Sequence, residues 1–145
     1  MREIEPDELN RLMPCLRALA EHHNAVSAEF GGSFPWTPFE KTLSGFAASI
    51  ADGGSLCAVE EDERDVIGFC KIDFDGTRGY IDYLVVLAEY RGRGVGGRLM
   101  RWAIDTLKAH GADVIDLKVV YGNDAVRFYE RYGFSVSCLE MRRNG

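Results

Sequence analysis

Residues 91–97 read RGRGVGG, four glycines and two arginines in seven positions. Glycines let backbone N–H groups approach an anion without a Cβ in the way, and arginines add charge-assisted hydrogen bonds. This is phosphate-binding chemistry, and several machines use it. Gly92, Gly94 and Gly97 fit G-x-G-x-x-G, and Asp116 lies about 20 residues beyond the loop, where a ribose-binding acid is sought. A dinucleotide fold, however, runs its strand almost directly into the first glycine. Here Ala88-Glu89-Tyr90-Arg91 intervenes, and about 50 residues then remain, too few for such a domain. Gly92 and Gly97 also have the spacing of a nucleotide-binding P-loop, but Arg98 and Leu99 stand where that loop needs a lysine and a magnesium-binding hydroxyl. A merely tight turn would need fewer glycines.

Other side chains suggest less chemistry. Cys15, Cys57, Cys70 and Cys138 form no CxxC pair and no Cys/His ligand set, so apolar thiols are expected, with no metal site. His22 and His23 are adjacent on a helical pattern and are expected at the surface, or as bases if that helix borders a cleft. No serine or cysteine with a histidine partner suggests a covalent intermediate.

The elements that must position the loop follow from periodicity. Met1–Glu5 reads as a short strand, then a helical pattern opens at Pro6 and Asp7, with Pro14 inside it to kink or restart the helix. Phe30–Pro38 is a Gly, Pro and aromatic loop, and Phe39–Ala51 a second helix. Ser55–Glu60 and Val66–Phe74 flank a charged turn and read as a hairpin. Tyr80–Leu87 is the strongest strand, Val95–His110 a helix closed by Gly111, and Asp113–Val120 a strand. Asp124–Tyr132 is a short helix and Phe134–Met141 a last strand. Strand, loop, helix and strand form a βαβ unit with parallel strands, while the hairpin makes the sheet mixed. The class is α/β (α+β), and residues 1–145 read as one domain.

No apolar run approaches the ~20 residues of a membrane span, and MREIEPDELN is no signal sequence, so a cytoplasmic protein is expected. Residues 1–75 hold 15 acidic and 6 basic residues, whereas residues 76–145 hold 8 and 11. The overall net charge of −6 argues against nucleic acid as a partner. A basic patch within an acidic protein suits a small polyanion.

Arg91-Gly92-Arg93-Gly94-Val95-Gly96 has the form [RQ]-x-x-G-x-[GA] between a strand and a helix. It resembles the acetyl-CoA loop of the GNAT N-acetyltransferase superfamily. Asn123-Asp124-Ala125-Val126-Arg127-Phe128-Tyr129-Glu130-Arg131-Tyr132-Gly133-Phe134 resembles that family's C-terminal motif, N-x-x-A-x-x-[FL]-Y-E-[RK]-x-G-F. The resemblance is specific over residues 80–134 and general over the N-terminal half. It departs at one place: counted back from Tyr129, the family's Asn falls on Gly122, with Asn123 one step closer.

The resemblance implies a central sheet splayed between Tyr80–Leu87 and Asp113–Val120, with helices on both faces and acetyl-CoA in the opening. It implies Arg91, Gly92, Arg93, Gly94, Val95, Gly96 and Gly97 at the diphosphate, with Asn123 and Phe128 also at the cofactor. Val85 and Val86 would hydrogen-bond the pantetheine arm, and a β-bulge near the end of that strand would turn an amide near Val86 toward the thioester carbonyl. Tyr129 would protonate the leaving thiolate, and Asp82 would take the ammonium proton, through water. The reaction implied is direct attack by a primary amine of a small molecule or peptide, by a monomer or a homodimer, without a metal and without a membrane. The alternative is a GNAT-like domain that binds CoA as a sensor or interaction module and transfers nothing.

Overall fold

The computed structural model describes residues 1–145. The elements are β1 (Arg2–Glu3), a 3₁₀ helix (Pro6–Leu12), α1 (Met13–Val26), α2 (Phe39–Ala51), β2 (Ser55–Asp62), β3 (Asp65–Asp75), β4 (Arg78–Val86), a 3₁₀ turn (Ala88–Tyr90), α3 (Val95–Ala109), β5 (Val114–Leu117) and α4 (Val126–Glu130). Pro14 does restart the helix: its missing N–H costs nothing in the first turn of α1, and the segment before it winds as 3₁₀.

The sheet runs β1-β2-β3-β4-β5, antiparallel except for β4 and β5, which are parallel across the α3 crossover. Side chains of β2 and β3 go to two separate cores, their alternation interrupted once by a bulge at Ile67. Cys57, Val59, Val66 and Phe69 pack under α1 and α2 with Leu12, Leu16 and Phe46. Ala58, Ile67, Cys70 and Ile72 pack under α3 with Val95, Leu99, Met100 and Leu107. Helices therefore cover both faces of a mixed sheet. No helix is long and apolar enough to cross a membrane.

β1 is shorter than Met1–Glu5, and after α3 three elements differ from the sequence expectations. β5 is shorter than Asp113–Val120, because its ladder with β4 runs only from Arg78↔Val114 to Ile81↔Leu117. The expected last strand, Phe134–Met141, joins no ladder, and a strand exists only by pairing. The Lys118–Glu140 ion pair at 3.3 Å ties this segment to the end of β5, and Val136, Leu139 and Met141 remain exposed. α4 is shorter at both ends than Asp124–Tyr132.

All four cysteines are free thiols; Cys15, Cys57 and Cys70 are buried and Cys138 is exposed. Burial pushes the Cys15 and Cys57 thiols up to about 12, and Cys70 is raised as well. Since the thiolate is the nucleophile, iodoacetamide at neutral pH is expected to label Cys138 alone in the folded protein and all four after denaturation. Mass spectrometry reads the stoichiometry, and fast labelling of Cys57 or Cys70 in native conditions would contradict the packing.

Candidate active site

The basic loop joins β4 to α3. Gly94, the residue before the helix, has φ 81° and carries no capping side chain, so the first turn of α3 is left open. The first amide of the turn to reach a helical carbonyl is that of Arg98, onto Gly94 O at 3.0 Å. The N–H groups of Val95, Gly96 and Gly97 precede that bond, and the helix dipole adds partial positive charge where they point. Arg91 and Arg93 are exposed beside them. The acidic hairpin end of β2 braces the loop from behind. Arg98 Nε donates to Glu60 at 2.7 Å, and Tyr90, whose ring lies 5.2 Å from the Arg93 guanidinium, donates to Asp62 at 2.8 Å.

The glycines of α3 also bring other elements close. A Cβ on Gly96 would lie 3.5 Å from Phe128 Cζ and 3.7 Å from Val86 Cγ2. Gly96 therefore unites the loop, the end of β4 and α4. A Cβ on Gly97 would meet Tyr132 Oη at 2.8 Å, so that glycine lets the α4 region dock.

The edge of β4 beyond Ile81 has no partner on the β5 side. Its backbone polarity there follows from its pairing with β3. Leu87 N donates to Ile67 O at 2.9 Å, and antiparallel ladders alternate, so Val85 faces β3 while Leu84 and Val86 face the open edge. The Val85 carbonyl indeed lies 2.9 Å from where a Gly68 Cβ would stand. Among the two valines expected to offer backbone groups, only Val86 faces the opening. Leu84 is the second, and sequence alone could not show the phase of the ladder.

Tyr129 lies on the α3 face, packed against the core that contains Cys70, the β3 partner of Leu84. Its ring centroid lies 5.5 Å from Phe128 and 6.2 Å from Phe134, both edge-on. Burial, with a smaller contribution from Cys70, pushes the phenol up to about 12, so it stays protonated at neutral pH. Asn123 is otherwise engaged. Its Oδ1 accepts from Ala125 N at 3.0 Å, capping the turn into α4, and lies 3.3 Å from His22 Nε2. Gly122 has φ 98°, and a Cβ there would fall 2.4 Å from Val26 O, so no side chain fits at the position counted back from Tyr129.

On the opposite face the ladder slips between Lys71 and Ile72: Lys71 pairs with Tyr83 and Ile72 with Ile81, which leaves Asp82 as the extra residue. The bulge is therefore in the middle of β4, not near its end. It breaks the alternation and puts Asp82 and Tyr83 on the same face, under α2. Asp82 Oδ2 lies 2.7 Å from Lys71 Nζ, which also reaches Asp73 Oδ1 at 2.7 Å. Asp73 accepts in turn from Ser55, which bonds to Ser49 on α2. Sequence reasoning missed Lys71; the signal for it is a lysine at an inward position of an otherwise apolar run, VIGFCKIDF.

His22 and His23 border the same side. His23 packs on Phe34 at 5.1 Å, and burial, aided by His22, lowers its pKa. Phe34 stacks on Trp36 at 4.8 Å, and Arg142 covers Trp36 at 3.5 Å. Asn24 fixes this aromatic loop: its Oδ1 accepts from Gly32 N at 2.8 Å and Phe34 N at 2.9 Å, and its Nδ2 donates to Phe34 O at 2.9 Å.

The sequence pattern of the acetyltransferase (GNAT) family matches residues 19–134. N-alpha-acetyltransferase 30 of Schizosaccharomyces pombe is 39% identical over 84 residues, 55% of this chain and 56% of that protein, so the match spans about half of each. Among solved structures, a single-site mutant of the BH1408 protein from Bacillus halodurans superposes with TM-score 0.78 at 27% identity, over 99% of this chain and 97% of that one. PaiA N-acetyltransferase from Thermoplasma acidophilum, solved in complex with coenzyme A, superposes with TM-score 0.79 at 22% identity over 96% and 91%, a likeness of fold.

Proposed function

This chain belongs to the acetyltransferase (GNAT) family, and from that premise we propose that it transfers an acetyl group from acetyl-CoA to a primary amine by direct attack. The observation that carries the reading is the stretch of β4 between Asp82 and Val86 that has no partner on the β5 side, with Asp82 on one face of the sheet and Tyr129 on the other. An amine arriving from the α2 face and a thiolate leaving on the α3 face can then meet across a single strand edge.

Acetyl-CoA supplies the activated thioester and the diphosphate. The amides of Val95, Gly96 and Gly97 bind the diphosphate, and Arg91 and Arg93 add charge. The outward backbone groups of Leu84 and Val86 hold the pantetheine arm as an added strand. The Leu84 N–H, the outward amide nearest the Asp82 bulge, polarises the acetyl carbonyl, and Tyr129 Oη gives its proton to the departing sulfur. Asp82 faces the incoming ammonium and accepts its proton through water.

The acceptor is proposed to be a cationic small molecule or peptide amine. The acidic half of the chain, 15 acids against 6 bases over residues 1–75, includes the acceptor face and concentrates cations there. With acetyl-CoA saturating, kcat/KM for diamines and polyamines is expected to exceed that for dicarboxylic amino acids and to fall as ionic strength rises. An acceptor panel at several salt concentrations checks this. Preference for acidic acceptors, or indifference of the cationic ones to salt, would contradict the charge argument.

A further inference from the structure

The acetyl-transfer reading leaves one buried charge without a role. Lys71 is buried in mid-sheet, its ammonium held by Asp73 and Asp82 at 2.7 Å each, with the Phe46 ring centroid 4.9 Å away. Burial opposes the charge, but the two carboxylates outweigh it, and Lys71 stands above the ordinary lysine range. The neighbours on every side are consistent with this. Cys57 across the β2 ladder is a protonated thiol, Tyr83 on β4 is a phenol with a raised pKa, and Ser49 on α2 is neutral. The cluster thus has one cation between two anions, and it reaches the cleft through Asp82.

A core lysine is costly, and an apolar residue of its size would fill the site without that cost. The bulge explains what it does here. Asp82 is the residue that the ladder leaves unpaired, so the pairing between strands does not fix its direction. Lys71 supplies the missing constraint, binding Oδ2 and leaving Oδ1 free. Asp73 and Ser55 hold Lys71 in turn, anchoring the chain to β2 and α2.

We propose that Lys71 is the positioning residue for the acceptor: it orients the Asp82 carboxylate on the bulge so that the free oxygen holds the water that meets the amine. This rests on the acetyl-transfer reading above. It differs from a simple field effect in sign. Replacing Lys71 by methionine makes the cluster more negative, so a field alone would tighten binding of a cationic amine. Loss of orientation weakens it.

The test is a double-mutant cycle of Lys71→Met and Asp82→Asn, with the fastest cationic amine of the panel as the probe. Lys71→Met is expected to raise KM for the amine about 10- to 100-fold, the worth of one hydrogen bond to a charged group, with KM for acetyl-CoA unchanged. In the Asp82→Asn background, Lys71→Met is expected to add nothing further. A fall or no change in the amine KM, a parallel rise for acetyl-CoA, or additive effects would each overturn the proposal. If Lys71→Met does not fold, Lys71→Gln, which removes the same charge with a polar side chain one bond shorter, takes its place in the cycle with the same sign and the same non-additivity expected. A wild-type protein that acetylates no amine overturns the acetyl-transfer reading itself, whereas an active wild type with an additive cycle overturns only the role of Lys71.

Discussion

Replacing Tyr129 by phenylalanine is expected to lower kcat about 10²- to 10⁴-fold, the range for a positioned general acid, with little change in acetyl-CoA affinity. The substitution removes one oxygen and keeps the ring. The edge-on contacts with Phe128 and Phe134 involve the ring, so they survive, and thermal stability is expected to hold. The raised phenol pKa of about 12 means that the proton is in place at neutral pH. A thiol-release assay under acetyl-CoA saturation measures the effect. A kcat close to wild type would return Tyr129 to a packing role.

The second large effect is expected at Gly96. Gly96→Val is expected to weaken CoA binding about 100-fold, equivalent to losing one or two hydrogen bonds to a charged group. The position separates binding from folding better than its neighbours do. Gly94 has φ 81°, so any side chain there strains the backbone as well. Gly96 lies within the helix, and its Cβ would meet Phe128 and Val86 at ordinary contact distances. The branched methyls of valine then crowd the mouth of the cleft beside the free amides. Calorimetric titration with CoA, alongside a thermal melt, separates the two effects. Unchanged affinity in a folded Gly96→Val protein would remove the diphosphate from the α3 N-terminus.

The parts of the site that are legible in the sequence are those built by neighbouring residues. The Arg91–Gly97 loop, the helix it opens and the Phe128–Tyr129 pair are local patterns, and local patterns carry backbone demands such as positive φ and an uncapped first turn. Pro14 is legible for the same reason. What sequence could not show depends on registers between distant strands. The slip between Lys71 and Ile72 decides that Asp82 and Tyr83 share a face, and no periodicity within β4 encodes it. The phase of the β3–β4 ladder decides that Leu84 and Val86, not Val85, face the opening. Phe134–Met141 has the composition of a strand but no partner to pair with. Gly122 interrupts the Asn123 motif in the sequence; in the fold it stands where only a glycine can pass Val26 O.

Amide formation is the most direct test of the central claim. The protein is incubated with acetyl-CoA labelled in the acetyl group and with the amine panel, and both protein and small molecules are weighed by mass spectrometry. Label is expected in an amide of at least one amine, with free CoA released in equal amount and no acetylated intermediate on the protein. CoA bound tightly while no amine gains label, across the panel and at neutral to mildly alkaline pH, would contradict it and leave a protein that binds the cofactor without using it.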